Sequence, residues 1–139
     1  MIRQRLPFQA IDRLWLPLHL GQSLLRVRLR QIDLAEMERE PEPVYRLQGQ
    51  ALAYHALGRK KEADAALAEL IAKYQADGAF QIAEVYAVRG EADRAFEWLE
   101  RAYAQRDVGL TSMKGDPLLK SLERDPRYVA FLKKMRLPA

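Results

Sequence analysis

Laid over itself at a shift of 32 residues, the chain matches at five positions within a window of 17: Ala51 on Ala83, Tyr54 on Tyr86, Gly58 on Gly90, Ala63 on Ala95 and Leu67 on Leu99. A short internal period constrains the fold severely. One such unit cannot bury its own apolar face, so it must stack on a neighbour. In each copy a helical stretch ends at a glycine, and an alanine-rich stretch with a period near 3.6 follows at once. Glycine just past the last apolar position takes up the left-handed backbone that ends a helix, with no Cβ to clash. Gly58 and Gly90 therefore mark the turns of two helix hairpins. The paired alanines leave room where helices cross closely, and the tyrosines and leucines fill the space beside them.

The second helix of the second copy is the plainest single element. Ala92, Ala95, Phe96, Leu99, Ala102 and Tyr103 recur at helical spacing and form one apolar face. Asp93, Arg94, Glu97, Glu100 and Arg101 fall on the other face, with Glu97 and Arg101 in the favourable i, i+4 order. Trp98 stands at the edge of the apolar face, as packing against the C-terminal segment or, alternatively, as an exposed anchor for a partner; packing is the preferred reading. With 49% hydrophobic residues in 139, one domain with one core is expected.

The order of small, aromatic, glycine and alanine positions resembles the tetratricopeptide repeat family, whose units are helix pairs of about 34 residues. The resemblance covers residues 43–107, as copies at 43–75 and 76–107. It implies an all-α fold of antiparallel helix hairpins wound as a right-handed solenoid. The family's first-helix tryptophan is replaced by Leu47 and Ala79, and Gln75 and Asp107 stand where its closing proline falls. In this family partners lie in a concave groove lined by the first helix of each pair. Carried over residue by residue, that groove comprises Tyr45, Gln48, Leu52 and His55 in the first copy, and Asp77, Phe80 and Glu84 in the second. These positions lack the lysine and asparagine set with which chaperone-binding relatives clamp a C-terminal carboxylate, so no such clamp is expected.

After the repeats, Asp116-Pro117 and Asp125-Pro126 each place a capping carboxylate before a proline at the first helical position. Two short helices are expected to follow and to close the array over residues 108–139. In the last, Tyr128, Phe131, Leu132 and Met135 form an apolar stripe, and Lys133, Lys134 and Arg136 sit near the C-terminus, where the helix dipole favours cations. The run from Gly115 to Pro138 is also similar to the C-termini of a bacterial group in which such an array follows a winged-helix, cyclase or kinase domain. That likeness implies a sensor-type module detached from its effector, or a free-standing relative.

Residues 1–42 read as degenerate helices. Leu24 to Met37 support a helix over about 18–39, ended by Pro41 and Pro43, and Phe8, Ile11, Leu14, Trp15 and Leu18 suit a shorter partner helix before it. The net charge of +4 is unevenly spread: residues 1–31 carry six arginines against Asp12, and residues 32–42 carry five acids against Arg39. Nucleic-acid binding through the N-terminal arginine-rich segment is the alternative reading of function; it is disfavoured, because Arg26 and Arg30 align on a helix while Arg28 points elsewhere. The acidic run at 36–42 reads as a solvated helix end. An incompletely covered N-terminal end would offer apolar surface for a homodimer.

No residues converge on chemistry. The absence of cysteine excludes disulfides, thiolate metal sites and cysteine nucleophiles. His19 and His55, the two histidines, lie 36 residues apart with no ligand pattern around them. Asp116 and Asp125 are read as caps rather than as an acid–base pair. The expectation is therefore a non-enzymatic module without cofactor or metal. It holds a protein or peptide segment by helix-in-groove contacts. With no apolar run long enough for a membrane span, and no signal segment recognised at its start, the chain is expected in the cytoplasm.

Overall fold

A computed structural model describes Leu29 and residues 34–136 of the chain. The secondary structure of the described residues is all helical, with no strand among them. The expected partner helix around Trp15, the arginines at 26, 28 and 30 and His19 lie outside them. Of the helix expected over about 18–39, the described part is Leu29 and a short piece, α1 (Leu34–Glu38). Four longer helices follow: α2 (Pro43–Ala56), α3 (Lys60–Tyr74), α4 (Ala79–Val88) and α5 (Ala92–Ala104). Two 3₁₀ segments, Val108–Ser112 and Pro117–Leu122, then lead to α6 (Pro126–Lys134).

The glycine turns form as the repeat predicts. Gly58 and Gly90 have φ of 75° and 78°. Each helix end closes on the same pair of backbone bonds: Gly58 N–H to His55 O and Arg59 N–H to Tyr54 O in one, Gly90 N–H to Ala87 O and Glu91 N–H to Tyr86 O in the other. These bonds take up carbonyls that the end of a helix would otherwise leave unpaired. Each turn spans three residues, so α2 folds back on α3 and α4 on α5, and these two pairs have the most extensive packing in the chain. The equivalent residues of the two copies have equivalent surroundings. Ala51 and Ala83, Ala63 and Ala95, and Leu67 and Leu99 are all buried, and Tyr54 and Tyr86 are both half-buried.

The pairs meet through α4, which contacts α2 and α3 on one side and carries the 3₁₀ segments on the other. Arg89, in the second turn, braces this junction. Its guanidinium reaches Asp64 on α3 at 2.5 Å and Glu91 at 3.0 Å. On α5 the buried face is wider than the periodicity indicates, because Trp98 is also buried. Glu97 meets Arg94 at 3.8 Å, and Arg101 lies over the Trp98 ring at 4.3 Å, so the expected Glu97–Arg101 pairing gives way to a cation–π contact.

The C-terminal segment packs as a lid, with a different first element from the one expected. Asp116 caps a 3₁₀ segment, accepting from Leu118 N–H at 2.9 Å, and Asp125 caps α6, accepting from Arg127 N–H at 3.0 Å. Leu118, Leu119 and Leu122 are buried; the segment packs against α4, and Ser121 Oγ donates to Ala87 O at 2.8 Å. Tyr128, Phe131 and Leu132 of α6 are buried as the stripe predicts. Arg127 pairs with Asp93 at 2.8 Å, and Lys134 pairs with Glu100, which ties α6 to α5. Among the described residues no helix is long and apolar enough to cross a membrane.

Candidate functional site

The seven groove positions do not share an open surface. Helical spacing places Gln48, Leu52 and His55 along α2, and Phe80 and Glu84 along α4. The structure brings the two rows together but buries most of them: Leu52 is 0% exposed, Gln48 1%, Phe80 3% and Glu84 5%. Tyr45 and His55 are half-buried, and Asp77, in the turn before α4, is exposed. On α4 the cover comes from the chain's own C-terminal half. Phe80 N–H donates to Asp107 Oδ2 at 3.2 Å. The Phe80 ring lies so close to Gly109 that a Cβ there would fall 2.6 Å from Phe80 Cδ1. Phe80 is thus a core residue held under the first 3₁₀ segment.

Gln48, Glu84 and Asp116 form a buried polar cluster between the two helix pairs and the lid. Gln48 Nε2 donates to Glu84 Oε1 at 2.9 Å and approaches Gln81 O at 3.4 Å. The Glu84 side chain in turn hydrogen-bonds the Asp116 carboxyl, and burial pushes the latter above the usual aspartate range. Two carboxyls in contact inside a core do not both ionise, so the pair holds a proton between them. Its position, closed off beneath the lid, makes it a structural latch with no access for a substrate.

The other residues considered from sequence fall into place. Trp98 is 5% exposed and belongs to the core. His55 borders a cavity of about 440 Å³ together with Lys60, Asp64, Arg89 and Glu91. There the Arg89 charge is met by two carboxylates, although its Nη1 is buried without a partner. No three His, Asp or Glu side chains among the described residues converge as a metal site would require.

The surface that combines exposed apolar and charged groups lies elsewhere, where α5 and α6 end side by side. A cleft of about 720 Å³ is walled by Tyr103, Val108, Leu110 and Met135, and carries Arg106, Lys134 and Arg136. Val108 is 83% exposed and Tyr103 40%, which places them among the most exposed large apolar residues described. Tyr103 is held by an edge contact to Phe131, with ring centroids 6.1 Å apart, and by Lys134 Nζ at 4.4 Å over its face. Asp107, the acid of the cleft, is committed inward: Oδ1 accepts from Gly109 N–H at 2.8 Å and Oδ2 from Phe80 N–H.

Arg106 and Arg136 occupy unusual backbone positions. Their φ angles are 56° and 62°. Arg106 N–H bonds Tyr103 O and Asp107 N–H bonds Ala102 O, the closure seen at Gly58 and Gly90; Arg136 N–H bonds Lys133 O in the same way. Arginine therefore stands at the ends of α5 and α6 in the position that glycine fills at the ends of α2 and α4. A side chain in the left-handed region costs roughly 1 kcal/mol relative to glycine. Both arginines are exposed, and neither forms an ion pair or side-chain hydrogen bond within the described residues.

Periodicity does not reveal this cleft, because one wall comes from the end of α5 with the 3₁₀ segment after it and the other from the end of α6, far along the chain. The usable signal is the lone apolar Val108 just after α5, with no helical partner to bury it. No family model matches the chain, and no curated protein or solved structure is detectably similar to it.

Proposed function

We propose that the chain is a non-catalytic protein-interaction module of the tetratricopeptide kind, and that it holds a peptide or protein segment in the cleft between the ends of α5 and α6. The observation that carries this reading is the exposure of Val108 and Tyr103 as walls of one concave, partly apolar cleft. Exposed apolar groups gathered in a concavity with a charged rim are characteristic of recognition surfaces. The groove positions support binding less well, since Leu52, Phe80, Gln48 and Glu84 are enclosed within the described fold. The solenoid and the role in a cytoplasmic assembly are parts of the same proposal. The solenoid is supported by the paired helices, their shared turn geometry and the matching burial of equivalent residues.

Selection of a random peptide library displayed on phage, against the wild-type chain and against Val108→Asp, tests this reading. Val108 is nearly free of packing, so the substitution leaves the fold intact. The expected result is a set of enriched peptides, most of which lose binding to Val108→Asp. Failure to enrich any peptide above an unrelated helical protein, or enrichment indifferent to Val108, would contradict it.

A further inference from the structure

Resting on that reading, we infer that the occupant of the cleft is an internal segment carrying acidic side chains next to a bulky apolar one. The apolar side chain packs on Val108 and Tyr103, and the carboxylates meet Arg106 and Arg136. Charge is the first reason. The cleft carries three cations and one carboxylate, and of these Asp107 is turned inward and Lys134 is paired with Glu100. Arg106 and Arg136 are left with their guanidinium donors unspent, and the arginine fork suits a carboxylate.

The second reason is the backbone. Both free arginines occupy left-handed positions that glycine fills at the ends of α2 and α4. The strain is tolerated at two places that border one cleft, which points to a demand on the side chains rather than on the turn. An opposing effect comes from the helix ends themselves, each worth about half a negative charge. Lys134 is neutralised by Glu100, and two such ends with Asp107 amount to about two negative charges against the two arginines, so the net charge of the cleft is near zero. The preference arises from direct contact with the guanidinium groups and requires an acid placed within their reach.

The test uses three fluorescein-labelled decapeptides, each acetylated and amidated so that no terminal charge contributes: a Leu-Phe centre flanked by glutamates, the same centre flanked by glutamines, and an Ala-Ala centre flanked by glutamates. Anisotropy should show binding of the first. The second and third should bind about tenfold more weakly or not at all. Raising salt from about 50 to about 300 mM should weaken the first several-fold, as expected for exposed charges. Arg106→Gln with Arg136→Gln should reduce its affinity about tenfold, while Lys61→Gln, remote and exposed, should leave it unchanged.

Equal binding of the glutamine-flanked peptide, or full binding by the double arginine variant, would overturn the acidic assignment and leave the interaction reading standing. Failure of all three peptides, with phage-selected peptides still dependent on Val108, would do the same. Failure of both assays would overturn both. A dimer in light scattering that the double arginine substitution dissolves would overturn the peptide proposal in favour of a second copy of this chain.

Discussion

Arg106 and Asp116 show how single residues here are set against local stability. Arg106 holds a left-handed backbone that glycine would hold without strain. Arg106→Gly is therefore expected to raise unfolding stability by about 0.5–1 kcal/mol, read as a higher urea midpoint, while weakening peptide binding. Gly90→Ala is the converse: with φ of 78° it should destabilise by about 1 kcal/mol, although nothing lies within 4 Å of the added methyl. For Asp116 the sign follows from its raised folded-state pKa. Between the unfolded and folded values the native chain keeps a proton that the unfolded chain has released. Its contribution is fully present below the ordinary aspartate range and is lost as pH rises through the folded value. Asp116→Asn, which retains a capping side chain, should flatten that fall when urea midpoints are compared from about pH 4 to about pH 7. Asp125 acts in the opposite direction. Its hydrogen bonds from the Arg127 side chain and backbone hold its pKa at about 2, so its contribution is present above the ordinary range and lost as pH falls toward that value.

At the scale of elements, the lid completes the fold of α4 rather than merely shielding it. Phe80 and Glu84 acquire their surroundings from Gly109, Asp107 and Asp116, all at least 23 residues further along the chain. Gly109→Ala should accordingly cost about 1–3 kcal/mol in urea unfolding, because a methyl group 2.6 Å from Phe80 Cδ1 forces either the ring or the 3₁₀ segment to move. An unchanged midpoint would show that the lid is loosely seated. This dependence also explains what was legible in the sequence. The glycine turns, the alanine and leucine core positions and the two Asp-Pro caps depend on neighbours a few residues away, and each leaves a local pattern. The burial of Phe80 and Glu84 depends on tertiary cover from the C-terminal segment, and a 3₁₀ segment has no apolar period by which to announce that cover. The family pattern places Phe80 and Glu84 on an open groove, whereas here the lid lies against the helix that carries them. The cleft leaves no such pattern for a related reason: a left-handed arginine has no signature in composition or spacing.

At the scale of the whole molecule, the described residues form two helix pairs and a lid, with the polar latch inside and Val108, the most exposed large apolar residue among them, at the joint between α5 and α6. The proposed binding surface thereby lies at the ends of α5 and α6 and not on the first helices of the pairs. The most direct measurement is a titration of the ¹⁵N-labelled chain with the glutamate-flanked Leu-Phe peptide, following backbone amide shifts. The proposed site predicts that the shifts cluster at residues 103–111 and 134–136 and saturate together. Shifts centred on residues 45–55 and 77–84 instead, with Val108 and Arg136 unmoved, would contradict it.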